Sequence, residues 1–152
     1  MPTKIGMKRT TPKKHIKKKL PKDWLLDDLV RQYIRKISGG YCKRCKRYVG
    51  LEHIEVAHMY KRKRKTVRWD LRNVYPLCTN DPRTGKKGCH QQVDDDPIKL
   101  TSFMYDVMSK EEIADLERIA NMTIKEYPID REAIKQNLKE QLKGVSDGRE
   151  MA

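Results

Sequence analysis

The apolar residues of this 152-residue chain recur every three or four positions near its start and through its last third, a spacing typical of helices that bury one face. Asp23 is the predicted cap of the first helix, and Gly39 and Gly40 end it. Ser109 opens a predicted capping box, and Asp130 is the predicted cap of the last helix. The predicted helices span residues 21–37, 89–95, 98–108, 110–122 and 131–143.

Between the first helix and the short one that follows it, the pattern changes to the alternation expected of strands. Leu51 to Tyr60 predicts a strand with His58 on one face and with Glu55 and Ala57 on the other. Val74 to Leu77 predicts a short second strand, whose internal proline indicates a sheet edge. These strands and the next helix together predict a hairpin followed by a helix.

The order of the elements predicts an α+β fold, with a small core flanked by one helix before it and several after it. The predicted divisions are a disordered basic arm (1–20), a supporting helix (21–40), the core (41–97), C-terminal helices (98–145) and a disordered tail (146–152). Only 37% of the residues are apolar. A core with so few apolar side chains would benefit from a metal ion that cross-links it.

The formal net charge of +14 indicates a polyanionic partner such as nucleic acid. Residues 1–22 contain nine Lys or Arg and no acidic residue, whereas residues 94–152 contain 14 acidic and nine basic residues. The arm is predicted to contact phosphates without reading base sequence, and a tail that only aids solubility is the alternative. No apolar run approaches the roughly 20 residues of a membrane span. We therefore expect a cytoplasmic protein with no membrane partner.

Four cysteines form two pairs that fit a single metal ion. They are Cys42, Cys45, Cys78 and Cys89. Two residues separate the first pair, as in a zinc knuckle, and ten separate the second pair. This pattern predicts a structural zinc site with four sulfur ligands. The segment between Cys78 and Cys89 would form a loop whose two ends lie close together. A shell of three cysteines with His53 or His90 is the alternative, and a reducing compartment disfavours disulfides.

Two histidines and one asparagine lie between and just after these cysteines. His58 ends the first predicted strand, Asn73 precedes the second, and His90 opens the short helix, so the fold would bring them together. A neutral imidazole can act as a general base, and a hard divalent ion can stabilise charge on a phosphodiester during hydrolysis. The pattern therefore favours a nucleic-acid-cutting site. The alternatives are a half-buried structural histidine and a turn asparagine.

The motifs in this order resemble the HNH endonucleases, particularly phage-type members with four zinc cysteines. The residues that carry the resemblance are Cys42-x2-Cys45, Val56-Ala57-His58, Arg68-Trp69-Asp70-x2-Asn73, Leu77-Cys78 and Cys89-His90. The resemblance covers about residues 41–97. It implies the ββα-metal fold and metal-dependent cutting of DNA that leaves 5′-phosphate and 3′-hydroxyl ends. It also implies a bacterial or phage-infected cell as the setting.

The resemblance assigns catalytic roles to the three residues between and after the cysteines. It makes His58 the general base and His90 a ligand of a catalytic divalent ion such as Mg²⁺. It makes Asn73 the residue that orients the His58 ring or stabilises the loop between the strands. All three assignments are expectations carried over from the family.

Two features depart from the family pattern: the residue directly before the base, and the long excursion between Cys78 and Cys89. Many HNH members have Asp or His directly before the base, as a metal ligand, where this chain has Ala57. Asp94, one helical turn after His90, is the predicted replacement ligand. Asp70 is held in reserve for the same role.

A basic run crosses between the two strands, beside the expected cleft. Its phosphate-binding candidates are Lys61, Arg62, Lys63, Arg64, Lys65 and Arg68. Such residues are expected to hold phosphates rather than to read bases. Trp69 follows them, either as a stacking residue or as part of the core under the loop.

Three functions of different classes are compatible with this sequence. The first is a metal-dependent DNA endonuclease or nickase, indicated by His58, Asn73 and His90. The second is a non-catalytic zinc module that binds DNA or RNA, favoured by Ala57 and by the long second gap between cysteines. The third is an accessory protein whose acidic C-terminal helices bind a larger DNA-processing enzyme. We predict the first, and the third is compatible with it.

Overall fold

A two-stranded antiparallel hairpin lies at the centre of the fold, with helices on both of its faces. The structure is a computed structural model that describes residues 19–145, so the predicted tail (146–152) and nearly all of the predicted arm (1–20) lie outside the described residues. The elements are α1 (Asp23–Ser38), a 3₁₀ turn (Leu51–His53), β1 (Ile54–His58), a second 3₁₀ turn (Leu71–Asn73), β2 (Val74–Cys78), α2 (Cys89–Asp95), α3 (Pro97–Val107), α4 (Lys110–Ala120) and α5 (Arg131–Gly144). The α+β class is confirmed.

The hairpin pairs β1 with β2 along their whole length. Ile54 lies opposite Cys78 and His58 lies opposite Val74. The predicted first strand was too long, because Leu51–His53 forms a 3₁₀ turn that is closed by the His53 N–H donating to the Gly50 carbonyl at 3.1 Å. The hairpin therefore brings the candidate residue His58 beside the start of the second strand.

The two faces of the hairpin belong to different apolar clusters. One cluster joins α1 and α5 to the hairpin and to Trp69; its buried members are Leu26, Leu29, Val30, Ile34, Trp69, Val74 and Leu138. The other joins the cysteines to α2, α3 and α4 and includes Ala57, Leu77, Val93, Phe103 and Leu116. A thin sheet is thus covered on both sides, which gives an apolar-poor chain enough burial to fix the hairpin.

Capping was predicted correctly for two helices and wrongly for one. Ser109 and Glu112 form the capping box of α4, and Asp130 accepts from the Ala133 N–H at 3.0 Å at the start of α5. Asp23 is not a cap, because it is the first residue of α1 and follows Lys22. Its carboxylate instead pairs with Arg131 at 2.5 Å and so ties α1 to α5.

The last helix packs back onto the first. Lys36 Nζ donates to the Leu142 carbonyl at 3.0 Å, and Arg131 donates to the Pro21 carbonyl at 3.1 Å. One face of α5 is therefore committed to α1. Among the helices of residues 19–145, none combines the length and the apolar character that crossing a membrane requires.

Candidate functional site

The four cysteines converge on one point, where a turn, a strand end and a helix start meet. Cys42 and Cys45 lie in the turn after α1, Cys78 ends β2, and Cys89 begins α2. All four sulfur atoms lie within 4.8 Å of one another. Sulfur ligands about 2.3 Å from a tetrahedral zinc ion are about 3.8 Å apart, so a small contraction suffices. The cluster can hold a metal ion such as zinc.

Backbone amides and neighbouring thiols prepare these sulfurs for a cation. The Cys78 N–H points to the Cys42 sulfur at 3.4 Å, and the Cys89 N–H points to the Cys78 sulfur at 3.3 Å. The hydrogen bond between the Cys42 and Cys89 thiols lowers the pKa of Cys42 and raises the pKa of Cys89, while burial raises the pKa of Cys78. Cys42 is therefore the first thiol to form the thiolate that binds metal.

Neither alternative for this cluster is supported by the geometry. All four cysteines are free rather than disulfide-bonded. The imidazole of His53 lies 3.9 Å from the Glu52 carboxylate, and that of His90 contacts Glu55. Because the four thiols already complete a tetrahedral set, a shell of three cysteines and one histidine is not needed.

The excursion between Cys78 and Cys89 closes on itself, as the cysteine pattern required. The Gly88 N–H donates to the Asn80 side chain at 3.0 Å. A Cβ atom at Gly88 would lie 2.1 Å from the Thr79 carbonyl oxygen, a distance that no side chain tolerates. Glycine is therefore needed there for Cys89 to return beside Cys78.

His58 lies in a cleft of about 300 Å³ between the hairpin and α1. Its Nε2 atom is 3.0 Å from the Arg68 carbonyl oxygen. A carbonyl only accepts hydrogen bonds, so Nε2 carries the proton and Nδ1 keeps its lone pair in the neutral ring. Burial is the main cause that lowers the pKa of His58 below 6.5. The ring is therefore neutral, and able to accept a proton, at neutral pH.

Asn73 has the second of its two predicted roles, because it stabilises the loop rather than contacting His58. Its side chain is fully buried. The Oδ1 atom accepts from the Tyr60 N–H at 2.7 Å, and Nδ2 donates to the Tyr60 and Val67 carbonyls at 3.0 and 3.1 Å. Val67 directly precedes Arg68, whose carbonyl oxygen accepts the hydrogen bond from His58. Asn73 thus positions His58 through the backbone.

His90, at the start of α2, contacts Glu55, which lies on the face of β1 opposite to His58, so the fold brings His90 to Glu55 rather than to His58 as expected. Its Nε2 atom is 3.6 Å from the Asp94 Oδ2 atom. Its Nδ1 atom is 2.5 Å from the carboxylate of Glu55, on β1. Lys61 contacts the other oxygen of Asp94. An imidazole nitrogen and a carboxylate oxygen therefore face each other, and both are atoms that can ligate a divalent metal ion.

Glu55 is the residue that the sequence analysis missed. It lines the same cleft as His58, and its carboxylate contacts His90. Side chains two apart on a strand share a face, so Glu55 lies on the same face of β1 as Ala57. The alternation had already placed Glu55 on the face of Ala57, but it could not show that His90, on another element, contacts Glu55.

Neither the Ala57 position nor Asp70 supplies a further metal ligand. Ala57 is buried among apolar side chains. Asp70 accepts from the Arg72 N–H and pairs with its guanidinium at 2.8 Å. Its reserve role as a metal ligand therefore has no geometric support.

Most of the predicted phosphate-binding residues have partners within the chain. Arg62 and Arg68 pair with Asp27 at 2.9 and 2.5 Å, and Lys65 lies 3.4 Å from Asp23. Lys61 forms a salt bridge with Asp94, and Arg64 donates a hydrogen bond to the Ala120 carbonyl. These pairs fix the loop against α1 and α2. Contact with nucleic acid through these residues remains a prediction.

Trp69 belongs to the core. It is only 5% exposed, and its indole N–H donates to Asp27 at 2.9 Å. The guanidinium groups of Arg68 and Arg131 lie 5.4 and 5.0 Å from its ring. This packing favours the core alternative over base stacking.

A basic cavity, separate from the His58 cleft, lies beside the cysteines. It has a volume of about 510 Å³ and is lined by the cysteine turn and by the excursion 79–88. The basic residues that line it are Arg44, Arg47, Arg83, Lys86 and Lys87. Asp81 is the one acidic residue among its lining residues in the described part of the chain. The sequence analysis placed no binding residue here, although the excursion is rich in basic residues.

Comparison with protein-family models, with curated proteins and with solved structures finds no match. The assignment of a function therefore depends on the residues and the geometry described above.

Proposed function

We propose that this protein is a metal-dependent endonuclease that hydrolyses DNA phosphodiester bonds, with His58 as the general base. One observation carries the proposal. Glu55 of β1 lines the cleft that contains His58, and its carboxylate contacts the ring of His90, so one residue adjoins both candidate sites. The resemblance to HNH endonucleases points to the same residues.

The role of His58 follows from its hydrogen bond. With Nε2–H donated to the Arg68 carbonyl at 3.0 Å, the ring accepts the proton of the attacking water at Nδ1. The carbonyl then stabilises the charged ring and fixes its orientation. Asn73 holds the loop that presents this carbonyl.

His90 and Asp94 are the residues that would hold the catalytic ion. The Asp94 carboxylate suits Mg²⁺, which is usually held by one or two carboxylates together with water and substrate phosphate, and the His90 imidazole is the further ligand that the resemblance implies. When bound, such an ion supplies positive charge to the phosphodiester during cleavage. Cys42, Cys45, Cys78 and Cys89 would hold the separate structural zinc ion.

DNA would be bound through phosphates. Arg31 and Arg35 of α1 line the cleft that contains His58. The basic cavity beside the cysteines adds Arg83 and Lys86. The Arg83 backbone N–H donates to Asp81 at 2.8 Å, but among residues 19–145 neither charged side-chain group forms a salt bridge. Side-chain cations without a salt bridge are available to phosphates at a lower cost than the paired residues of the loop.

Supercoiled plasmid tests this proposal directly. We expect zinc-loaded protein with Mg²⁺ or Mn²⁺ to convert the plasmid to nicked or linear forms with 5′-phosphate ends, and we expect EDTA to stop the reaction. A protein that binds the plasmid in a salt-sensitive manner but leaves it uncut with either ion would contradict the proposal.

That contrary result would favour the second candidate function, a non-catalytic zinc protein that binds DNA or RNA. The specific observation on its side is Ala57, which leaves the hairpin without the usual ligand at that position. The predicted protein partner of the C-terminal helices is a separate expectation. Such a partner would bind α5 only on the faces that α1 does not cover.

A further inference from the structure

We infer that Glu55 is a positioning residue that fixes the tautomer and orientation of His90, so that Nε2 faces Asp94 as a metal-binding atom. This inference rests on the proposed function for its catalytic meaning. Its structural content does not depend on cleavage. It also assigns a role to the acidic residue nearest to the position where Ala57 replaces the family's ligand.

The first step of the argument is the direction of the hydrogen bond. The Glu55 Oε2 atom is 2.5 Å from His90 Nδ1. An ionised carboxylate only accepts, so Nδ1 carries the proton. In the neutral ring the lone pair then lies on Nε2, the atom that faces Asp94 at 3.6 Å.

The second step is the arrangement of the neighbouring charges. Lys61 contacts the Oδ1 atom of Asp94, and Oδ2 is the oxygen that faces the imidazole. His90 and Asp94 are four residues apart on α2, so both side chains project from one face of the helix. Their facing atoms are one nitrogen and one oxygen, while Glu55 contacts the opposite ring nitrogen.

The third step excludes a direct role for Glu55 at the same ring atom. One imidazole nitrogen cannot hold both the proton donated to Glu55 and a metal ion. Glu55 therefore acts through His90, in the manner of carboxylates that accept a hydrogen bond from metal-binding histidines and tune their affinity by about 10- to 100-fold.

The test uses full-length, zinc-loaded protein and two readouts without DNA. Long-range ¹H–¹⁵N NMR at a pH where His90 is neutral reports its tautomer, and Mn²⁺ titration followed by EPR reports metal affinity. We expect the wild type to show the Nδ1–H tautomer. Glu55→Ala should lose that tautomer and weaken Mn²⁺ binding by about 10- to 100-fold.

Two further variants separate this role from general effects. Glu55→Gln keeps an oxygen that can accept from Nδ1–H, so it should retain the tautomer and bind Mn²⁺ more tightly than Glu55→Ala. Glu52→Ala removes an equal charge nearby, where the carboxylate lies near His53 instead, and should change neither readout.

Several results would overturn the inference. An unchanged His90 tautomer or an unchanged Mn²⁺ affinity in Glu55→Ala would do so. Equal losses of Mn²⁺ affinity in Glu55→Gln and Glu55→Ala would instead indicate that Glu55 is a direct metal ligand. The plasmid assay separates this from the proposed function. A wild type that cuts DNA while Glu55→Ala changes neither readout refutes the inference alone. A wild type that never cuts, yet shows both Glu55 effects, refutes the endonuclease alone.

Discussion

Asn73 shows how a single side chain can organise a loop that contains little apolar surface. Its amide makes three hydrogen bonds to the backbone of residues 60 and 67 while fully buried. Buried backbone groups that lose their partners are costly. The order of the basic loop, and with it the carbonyl that holds His58, therefore depends on Asn73.

Replacing Asn73 with alanine should destabilise the protein by about 2–4 kcal/mol, because it leaves buried N–H and carbonyl groups without partners. Urea unfolding of zinc-loaded protein measures this. Asn137→Ala, at an exposed site on α5, is the matched control and should change stability little. Equal stability of the Asn73 variant and the wild type would show that water replaces all three hydrogen bonds.

At the scale of elements, α1 and the basic loop are joined by charge. Asp27 of α1 accepts from Arg62, Arg68 and Trp69. Its partial burial acts to raise its pKa, but hydrogen bonds from Arg68 and Trp69 outweigh this and lower the pKa below 3.8. A carboxyl with a lowered folded-state pKa stabilises the fold above its unfolded pKa, and that contribution disappears as pH falls through the folded-state value.

The Asp27→Asn variant should therefore lose stability at neutral pH and show a flatter decline than the wild type as the pH falls below 3.8. Unfolding measured across that pH range tests this. Asp28→Asn alters the adjacent, more exposed carboxyl, which contacts Arg31 and Gln32, and should leave the acid dependence unchanged. Identical pH profiles for wild type and Asp27→Asn would contradict the account.

The cysteine cluster joins three elements that otherwise share a thin core. We expect Cys89→Ser to reduce bound zinc well below one ion per chain and to lower Tm by more than about 10 °C, because a structural zinc site contributes directly to folding. Zinc analysis and calorimetry measure both effects. Thr101→Ser, on an exposed face of α3, is the control. Full stability of metal-free Cys89→Ser would contradict a structural metal.

Local signals predicted the elements well, and contacts between distant residues were the harder part. Capping at Ser109 and at Asp130 depends on residues within four positions, so the sequence contains the whole signal. Asp23 was assigned to the wrong role because its partner, Arg131, is 108 positions away. Glu55 was missed for a similar reason, since its partner His90 lies on another element.

At the scale of the whole molecule, charge and its pairing determine which surface is available to nucleic acid. The composition predicted a polyanionic partner but could not show that Asp23 and Asp27 of α1 would pair with three of the six loop cations, Arg62, Lys65 and Arg68. The cavity beside the cysteines carries five basic residues in its lining. That cavity is where we expect the salt-dependent contacts of the described region.

Reversing two charges in this cavity should weaken DNA binding and reduce its salt dependence. For Arg83→Glu with Lys86→Glu, we expect the slope of log K against log salt to fall by about 2. Lys135→Glu with Lys139→Glu, on α5, removes the same charge and is the control. If both double variants change the slope equally, net charge rather than this cavity determines binding.

The central claim is that His58 is a general base, and single-turnover plasmid nicking with saturating Mg²⁺ tests it most directly. His58→Ala is compared with the wild type and with Gln136→Ala, at an exposed position of α5, at equal zinc content. We predict that His58→Ala lowers the rate by about 10²- to 10⁴-fold while Gln136→Ala retains it. Nicking by His58→Ala at the wild-type rate would contradict the claim.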